Sequence, residues 1–263
     1  MTGRAVRQPV RILLFLITAL VAAPAFAADA VRFCFVAWPP YTRVEGGQAQ
    51  GISVEVLREA ARRTGLAASF DEMPWRRCLT EVEIGNYDAA MDGARRLEFI
   101  AGRHSYVTSH YGFFVRQDDA GRGGSDPAGF AGRRVSLIQG WWYPEALTGL
   151  PGMDFERLDS EVGQLRSLAA GRQDAAYGDL VTMGAAARSL GLADAVRPLL
   201  PAHVSVSFYP LFNGGRADLA GRIDAALGVM LADGSIDGIY RAQLGRSFHD
   251  LARMAAGAAP AGN

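Results

Sequence analysis

Lysine is missing from this 263-residue chain, so its whole basic complement of 27 residues is arginine. These are matched by 27 acidic residues, and a chain with no cationic excess is poorly suited to general nucleic-acid binding. We read the missing lysine as a bias of genome composition, not as a set of phosphate-gripping forks. Histidine is sparse: His104, His110, His203 and His249 share no ligand spacing, so no zinc-type site and no metal cofactor is expected. Gly-x-Ser-x-Gly and Gly-x-x-x-x-Gly-Lys are missing too, which removes the nucleophile elbow and the phosphate-cradling loop. No organic cofactor motif stands in their place.

Long apolar runs are also lacking. The longest, Ile12 to Ala23, follows Arg4, Arg7 and Arg11 and precedes Ala25-Phe26-Ala27. A basic segment, a short apolar segment and a small-x-small site describe a secretory signal peptide over 1–27. The run is too short to span a bilayer comfortably, and nothing later approaches that length. A soluble, periplasmic mature chain is therefore expected, mildly acidic once three arginines are removed. Cys34 and Cys78 are the two cysteines of the chain. In an oxidising compartment an even count favours a disulfide, the other reading being two buried thiols held too far apart.

What the chain does contain is a motif used twice. Leu79 to Gly93, with Gly85-Asn86-Tyr87-Asp88-Ala89-Ala90, is echoed by Leu165 to Asp179, with Gly171-Arg172-Gln173-Asp174-Ala175-Ala176. Each copy reads as an amphipathic helix stopped by glycine, then a small-residue strand buried between helices. Around the first copy the pattern gives a strand at Val31 to Ala37, a Gly46-Gly47 turn, a helix at Ile52 to Thr64, a strand at Leu66 to Phe70 and a helix opened by Pro74-Trp75. Around the second it gives strands at Arg134 to Gln139 and Met153 to Leu158, and helices near Pro144, at Glu161 to Ala170 and at Leu180 to Leu190. Helices at Ala217 to Ala232 and Ile236 to Leu244 close the chain.

Alternating strands and helices predict an α/β fold of two lobes, each a mostly parallel sheet flanked by helices. Two aromatic strands, near 111–116 and 204–212, would join them as paired hinge strands. The divisions expected are 28–113 with 207–250 as lobe 1, 114–206 as lobe 2, and 251–263 as a flexible tail.

Ligands of open parallel sheets bind beyond the carboxyl ends of the strands. Trp38 and Tyr41 follow the first strand, Trp75 with Arg76 and Arg77 the second, and Asp92, Arg95 and Arg96 the third. In the second lobe Trp141, Trp142 and Tyr143 follow one strand and Asp179 another. All four tryptophans stand at strand exits, which favours aromatic cleft walls over core packing. Arg95 or Arg96 could grip a carboxylate, though either could equally be a solvated surface residue. Asp179 could face a ligand ammonium or simply cap the apolar helix that it begins. Gln139-Gly140 adds free backbone N–H groups.

With these residues in view, the chain resembles the bacterial extracellular solute-binding proteins of family 3, the two-lobed binding proteins of polar amino-acid ABC transporters. The resemblance rests on Trp38-Pro39-Pro40-Tyr41, on Gly51-Ile52-Ser53-Val54-Glu55-Val56 where the family has Gly-Phe-Asp-Val-Asp-Leu, on Gly85-Asn86-Tyr87-Asp88-Ala89, and on Ala232-Asp233-Gly234-Ser235-Ile236-Asp237-Gly238-Ile239-Tyr240. It implies a small-molecule ligand, an inner-membrane ABC permease as partner, a monomer and no catalysis. It also implies an arginine clamp for carboxylate near Arg95 or Arg96, an amine-holding aspartate near Asp179, and pairing of Cys34 with Cys78. Met91-Asp92-Gly93-Ala94-Arg95-Arg96 replaces the family's Ser-Gly-Met-Thr-x-Thr-x-Glu-Arg stretch, and Gly140-Trp141-Trp142 its Gly-Thr-Thr turn. A dehydratase-like enzyme is the rival expectation, with Asp92 and Asp179 as its only acid–base candidates; a ligand sensor without transport is the third.

Overall fold

A computed structural model describes residues 29–119, 124–141 and 143–257. The expected signal peptide and Trp142 lie outside the described residues.

Apolar and aromatic residues open the fold as strand β1 (Ala30–Phe35). A small hairpin follows, β2 (Arg43–Glu45) and β3 (Gln48–Gln50). Its turn is Gly46-Gly47, both at positive φ, as a two-residue hairpin requires. Helix α1 (Ile52–Arg63), strand β4 (Ala67–Glu72), helix α2 (Trp75–Glu83) and strand β5 (Ala89–Gly93) complete the first series. β1 lies between β4 and β5, parallel to both. Gly51, just before α1, has φ 117°, and a Cβ there would overlap the Tyr41 carbonyl oxygen. Only glycine lets the Trp38–Tyr41 loop lie this close to the helix start.

A two-residue strand β6 (Ile100–Ala101) and the long strand β7 (Val107–Arg116) lead to the second series. This runs β8 (Arg134–Ile138), α3 (Glu145–Thr148), β9 (Asp154–Leu158), α4 (Glu161–Ala169), β10 (Ala175–Asp179), α5 (Leu180–Ser189) and β11 (Val196–Pro198). β8 is parallel to β9 and β10, while β7 runs antiparallel to β10 and β11. Strand β12 (Val204–Phe212) returns beside β7, with Val204 opposite Tyr111 and Phe208 opposite Val107. Its last residues then pair with β5 and β6. The sheet path is therefore β4-β1-β5-β12-β7-β10-β8-β9, two lobes joined through β7 and β12.

The doubled motif folds into matching joints. Asp88 takes the Arg32 N–H on its carboxylate at 2.7 Å and returns its own N–H to the Arg32 carbonyl. Asp174 does the same with Arg134, at 2.9 Å. Gly85 and Gly171, both at positive φ, end the preceding helical turns and accept from those same two arginines. Each repeated aspartate thus fastens one strand to the start of its parallel neighbour.

Helices α6 (Ala217–Ala232) and α7 (Ser235–Leu244) pack with α1 over the first lobe, around Val54, Leu57, Ile223, Leu227 and Ile236. The second lobe has its own cores, around Phe113, Tyr143 and Tyr177 on one side and Phe114, Leu165 and Met183 on the other. Cys34 and Cys78 are joined as a disulfide inside a smaller cluster with Val82, Ala90 and Leu211. One expectation needs correction. The chain from 251 is not a loose tail at first, because helix α8 (Phe248–Ala255) runs on to Ala255. A Ser247 capping box starts it, Leu251 packs on the first-lobe core, and Ala255 on a second-lobe core. The alanine- and glycine-rich residues that follow this helix drew the boundary too early.

Candidate ligand-binding cleft

The carboxyl ends of β1, β5, β8 and β10 meet where the lobes face each other. Trp38 leaves β1 and is almost wholly buried. Its ring lies 4.6 Å from Tyr41, 5.3 Å from Phe208 on β12 and 6.2 Å from Trp141 of the second lobe. The Trp38–Trp141 contact brings the two lobes together through aromatic edges, a geometry that aromatic pairs favour. Trp141 stays partly exposed at 38%.

Beneath these rings lies a buried polar cluster. Asp92, near the end of β5, has φ 54°, the one described non-glycine residue at positive φ. Such a conformation costs energy and concentrates at functional sites. Its backbone N–H donates to the Tyr106 hydroxyl at 3.1 Å. Both carboxylate oxygens are shut off from solvent, with only the neutral Tyr106 and Ser53 hydroxyls beside them as donors. Burial pushes the carboxyl up to about 6, against a partial downward pull from the nearby Tyr106 and Ser53 hydroxyls. Trp38 Nε1 and the Tyr41 hydroxyl are buried without hydrogen-bond partners among the described residues. A native interior rarely leaves polar atoms unpaired, and these two belong to rings in contact with each other.

Asp179 ends β10 on the opposite lobe and is buried. One oxygen caps α5 by accepting from Val181 N–H at 3.0 Å and Thr182 N–H at 2.8 Å. The other accepts the His110 N–H at 3.0 Å. Burial raises this carboxyl also to about 6, opposed by those donors. Both aspartates act electrostatically on the Tyr41 and Tyr240 hydroxyls, so the two carboxylates lie near the same pair of buried tyrosines. Burial lowers the His110 pKa and favours its neutral ring, whose Nδ1 lies 2.7 Å from Ser205 Oγ.

Other residues expected at the site are placed elsewhere. Arg95 reaches back, its guanidinium donating to the carbonyls of Ala101 at 3.2 Å and Gly102 at 2.6 Å and lying 4.0 Å over the Tyr209 ring. It closes its own loop. Arg95→Ala should therefore lower Tm by roughly 2–5 °C while leaving ligand affinity within threefold, as thermal melts and a titration would read. Arg96 is exposed at the loop rim and has no side-chain partner among the described residues. Trp75 packs with Met73 and Leu79 on the disulfide cluster. Tyr143 belongs to a second-lobe core, its hydroxyl accepting from Ile138 N–H at 2.7 Å. Ser53, Tyr106, Ser109, Phe208 and Tyr240 were not among the expected site residues. Ser53 and Tyr240 stand in stretches that carry the family resemblance, Ser53 where the family has aspartate, while Tyr106 and Ser109 lie outside every motif.

Among the described residues no grouping of histidine, cysteine and carboxylate could hold a metal, and no helix is long and apolar enough to cross a membrane.

Two α/β lobes thus meet across buried aromatic and carboxylate side chains. The sequence agrees: it matches the bacterial extracellular solute-binding proteins, family 3, over residues 31–246, and the chain belongs to that family. A search of curated proteins found no match. Among solved structures, the L-cystine solute receptor of Neisseria gonorrhoeae, in an unliganded open conformation, is 19% identical with a TM-score of 0.68, covering 84% of this chain and 94% of its own. An ancestral arginine-binding protein bound to arginine gives 19% and 0.65, over 82% and 98%. A histidine kinase sensor domain with similarity to periplasmic binding proteins gives 21% and 0.67, over 84% and 98%.

Proposed function

We propose that this protein is a non-catalytic periplasmic receptor that closes its lobes on a small polar or zwitterionic solute, an amino acid or a related compound. The observation that carries the reading is the Asp92 carboxylate, buried beside neutral hydroxyls with no ion-pair partner among the described residues. A charge held out of water without a counter-charge is costly, and a solute that supplies one recovers that cost at closure. The contacts proposed are Trp38, Tyr41, Asp92, Trp141 and Asp179, with Arg96 at the rim. Lobe 1 is taken as 28–113 with 207–250, and lobe 2 as 114–206. Delivery to an inner-membrane ABC permease by a monomeric protein, after cleavage of a signal peptide, follows the habit of the family. The likeness to a histidine kinase sensor domain keeps a signalling role as the second reading.

A thermal-shift screen of the mature protein against amino acids, amines, organic acids and small peptides tests this. One chemical class should raise Tm, and the solute should be recovered unchanged. Recovery of a transformed product would instead support the enzyme. No shift with any class would sink the receptor reading. Reconstitution with a candidate permease then separates transport from sensing.

A further inference from the structure

The cleft floor carries anions and no cation. Asp92 and Asp179 face it from the two lobes, and Tyr41, Tyr106 and Tyr240 surround them with neutral hydroxyls. The chain has no lysine. Arg95, the guanidinium nearest in sequence, spends its N–H groups on Ala101 and Gly102 and its face on Tyr209. His110 is bonded to Ser205 through Nδ1. A ligand carboxylate brought to this floor would meet like charge in a poorly hydrated space, which is strongly unfavourable. A ligand cation would meet Asp92, whose carboxylate has only neutral hydroxyls beside it, and ring faces able to hold positive charge.

We infer that the solute is an organic cation, an amine or guanidine whose charged nitrogen stands on Asp92 beneath Trp38 and Tyr41, and that an α-carboxylate on it is dispensable. This rests on the receptor reading and sharpens it. Asp179 is the weaker of the two anchors, since three backbone N–H groups already occupy it. Arg96 is exposed and is not one of the buried anchors.

The test is calorimetric titration of the mature protein with solutes paired by loss of one carboxylate: L-arginine with agmatine, L-lysine with cadaverine, L-ornithine with putrescine. L-Citrulline serves as the neutral control. In at least one pair the amine should bind as tightly as its amino acid, or more tightly. Asp92→Asn should weaken that binding at least a hundredfold, and Arg95→Ala, whose guanidinium is spent within its own loop, should change it less than threefold. Circular dichroism of Asp92→Asn checks that it folds, and the wild-type pairs decide the matter even where it does not. If the amino acids bind and the amines do not, a carboxylate clamp exists and the inference fails while the receptor reading stands. Binding of citrulline alone overturns the inference in the same way. If no pair binds, the inference also fails, and the receptor reading then depends on the wider screen.

Discussion

Ligand-free protein should become more stable, not less, as pH falls from 7.5 to 5. Asp92 and Asp179 are each raised from 3.8 to about 6 by burial. A carboxyl with a higher value in the folded state than in the unfolded chain favours the protonated, folded form. Its stabilising contribution is complete below about 4 and is lost as pH rises through 6. A displacement of that size corresponds to about 3 kcal/mol for each group. Carboxylates that are lowered instead, such as Glu59 and Asp233 at about 2, weaken the fold only at more acid pH, outside this window. Asp92→Asn removes one of the two buried charges. Asparagine also tolerates the left-handed backbone that residue 92 adopts. The variant should be about 1–2 kcal/mol more stable than wild type at pH 7.5, the gain being reduced by an amide left partly unpaired. Its pH slope should fall by about half. Urea unfolding at several pH values reads both quantities. His110 and His203, lowered by burial, pull the other way as pH falls, so the variant's slope decides: an Asp92→Asn variant with an unchanged slope would show that the carboxylate is better solvated than the structure places it. A protein that carries a destabilising charge in its cleft is holding it for a partner.

Removing the Cys34–Cys78 disulfide should cost about 4 kcal/mol. The bond closes a loop with a sequence separation of 44, which contains the small hairpin, α1 and β4. Opening it returns that loop's freedom to the unfolded chain. Both cysteines are fully buried between β1 and α2, against Val82, Ala90 and Leu211, so the double alanine variant also leaves a cavity and loses packing. The Cys34→Ala/Cys78→Ala variant should unfold at a markedly lower urea concentration with an unchanged m value. Wild type in reductant plus denaturant should follow it. Quantitative alkylation of two thiols in the native, unreduced protein would refute the bond.

Much of the fold was legible because its signals are local. Glycine stops at 85 and 171, the turn at Gly46-Gly47 and the small-residue strands at Ala89 and Ala175 need no distant partner to be read. The hinge strands were visible as aromatic, β-branched runs, and their pairing followed from their places in the chain. β6, β11 and α8 were not visible: two are very short strands fixed by pairing, and the third is a short helix, running into an alanine- and glycine-rich end, held by contacts with both lobes. The site was legible in part. Asp92, Trp38 and Tyr41 follow strand ends, where topology puts ligands. Arg95 looked like a carboxylate clamp because its charge is local and its partners, Gly102 and Tyr209, are not. Tyr143 and Trp75 looked like cleft walls, since an aromatic residue at a strand exit can turn either toward the cleft or into the core. Ser53, Tyr106 and Tyr240 reach the floor from three separate elements, a convergence that only tertiary structure supplies.

Strand β12 bears on how the molecule is assembled. It completes the first lobe by pairing with β5, although some 120 positions separate Ala90 from its partner Leu211. No N-terminal portion of the chain can therefore close that sheet by itself. During synthesis, β1, β4 and β5 must wait with an open edge until nearly four-fifths of the chain has emerged. Contacts this distant slow folding, and an exposed edge in the interval invites mispairing. The same connectivity means that neither lobe can be expressed as one uninterrupted fragment of the gene: the first needs both ends of the chain. A circular permutant opened within the second lobe would bring those ends together, and it offers the direct route to a first lobe made as a single piece.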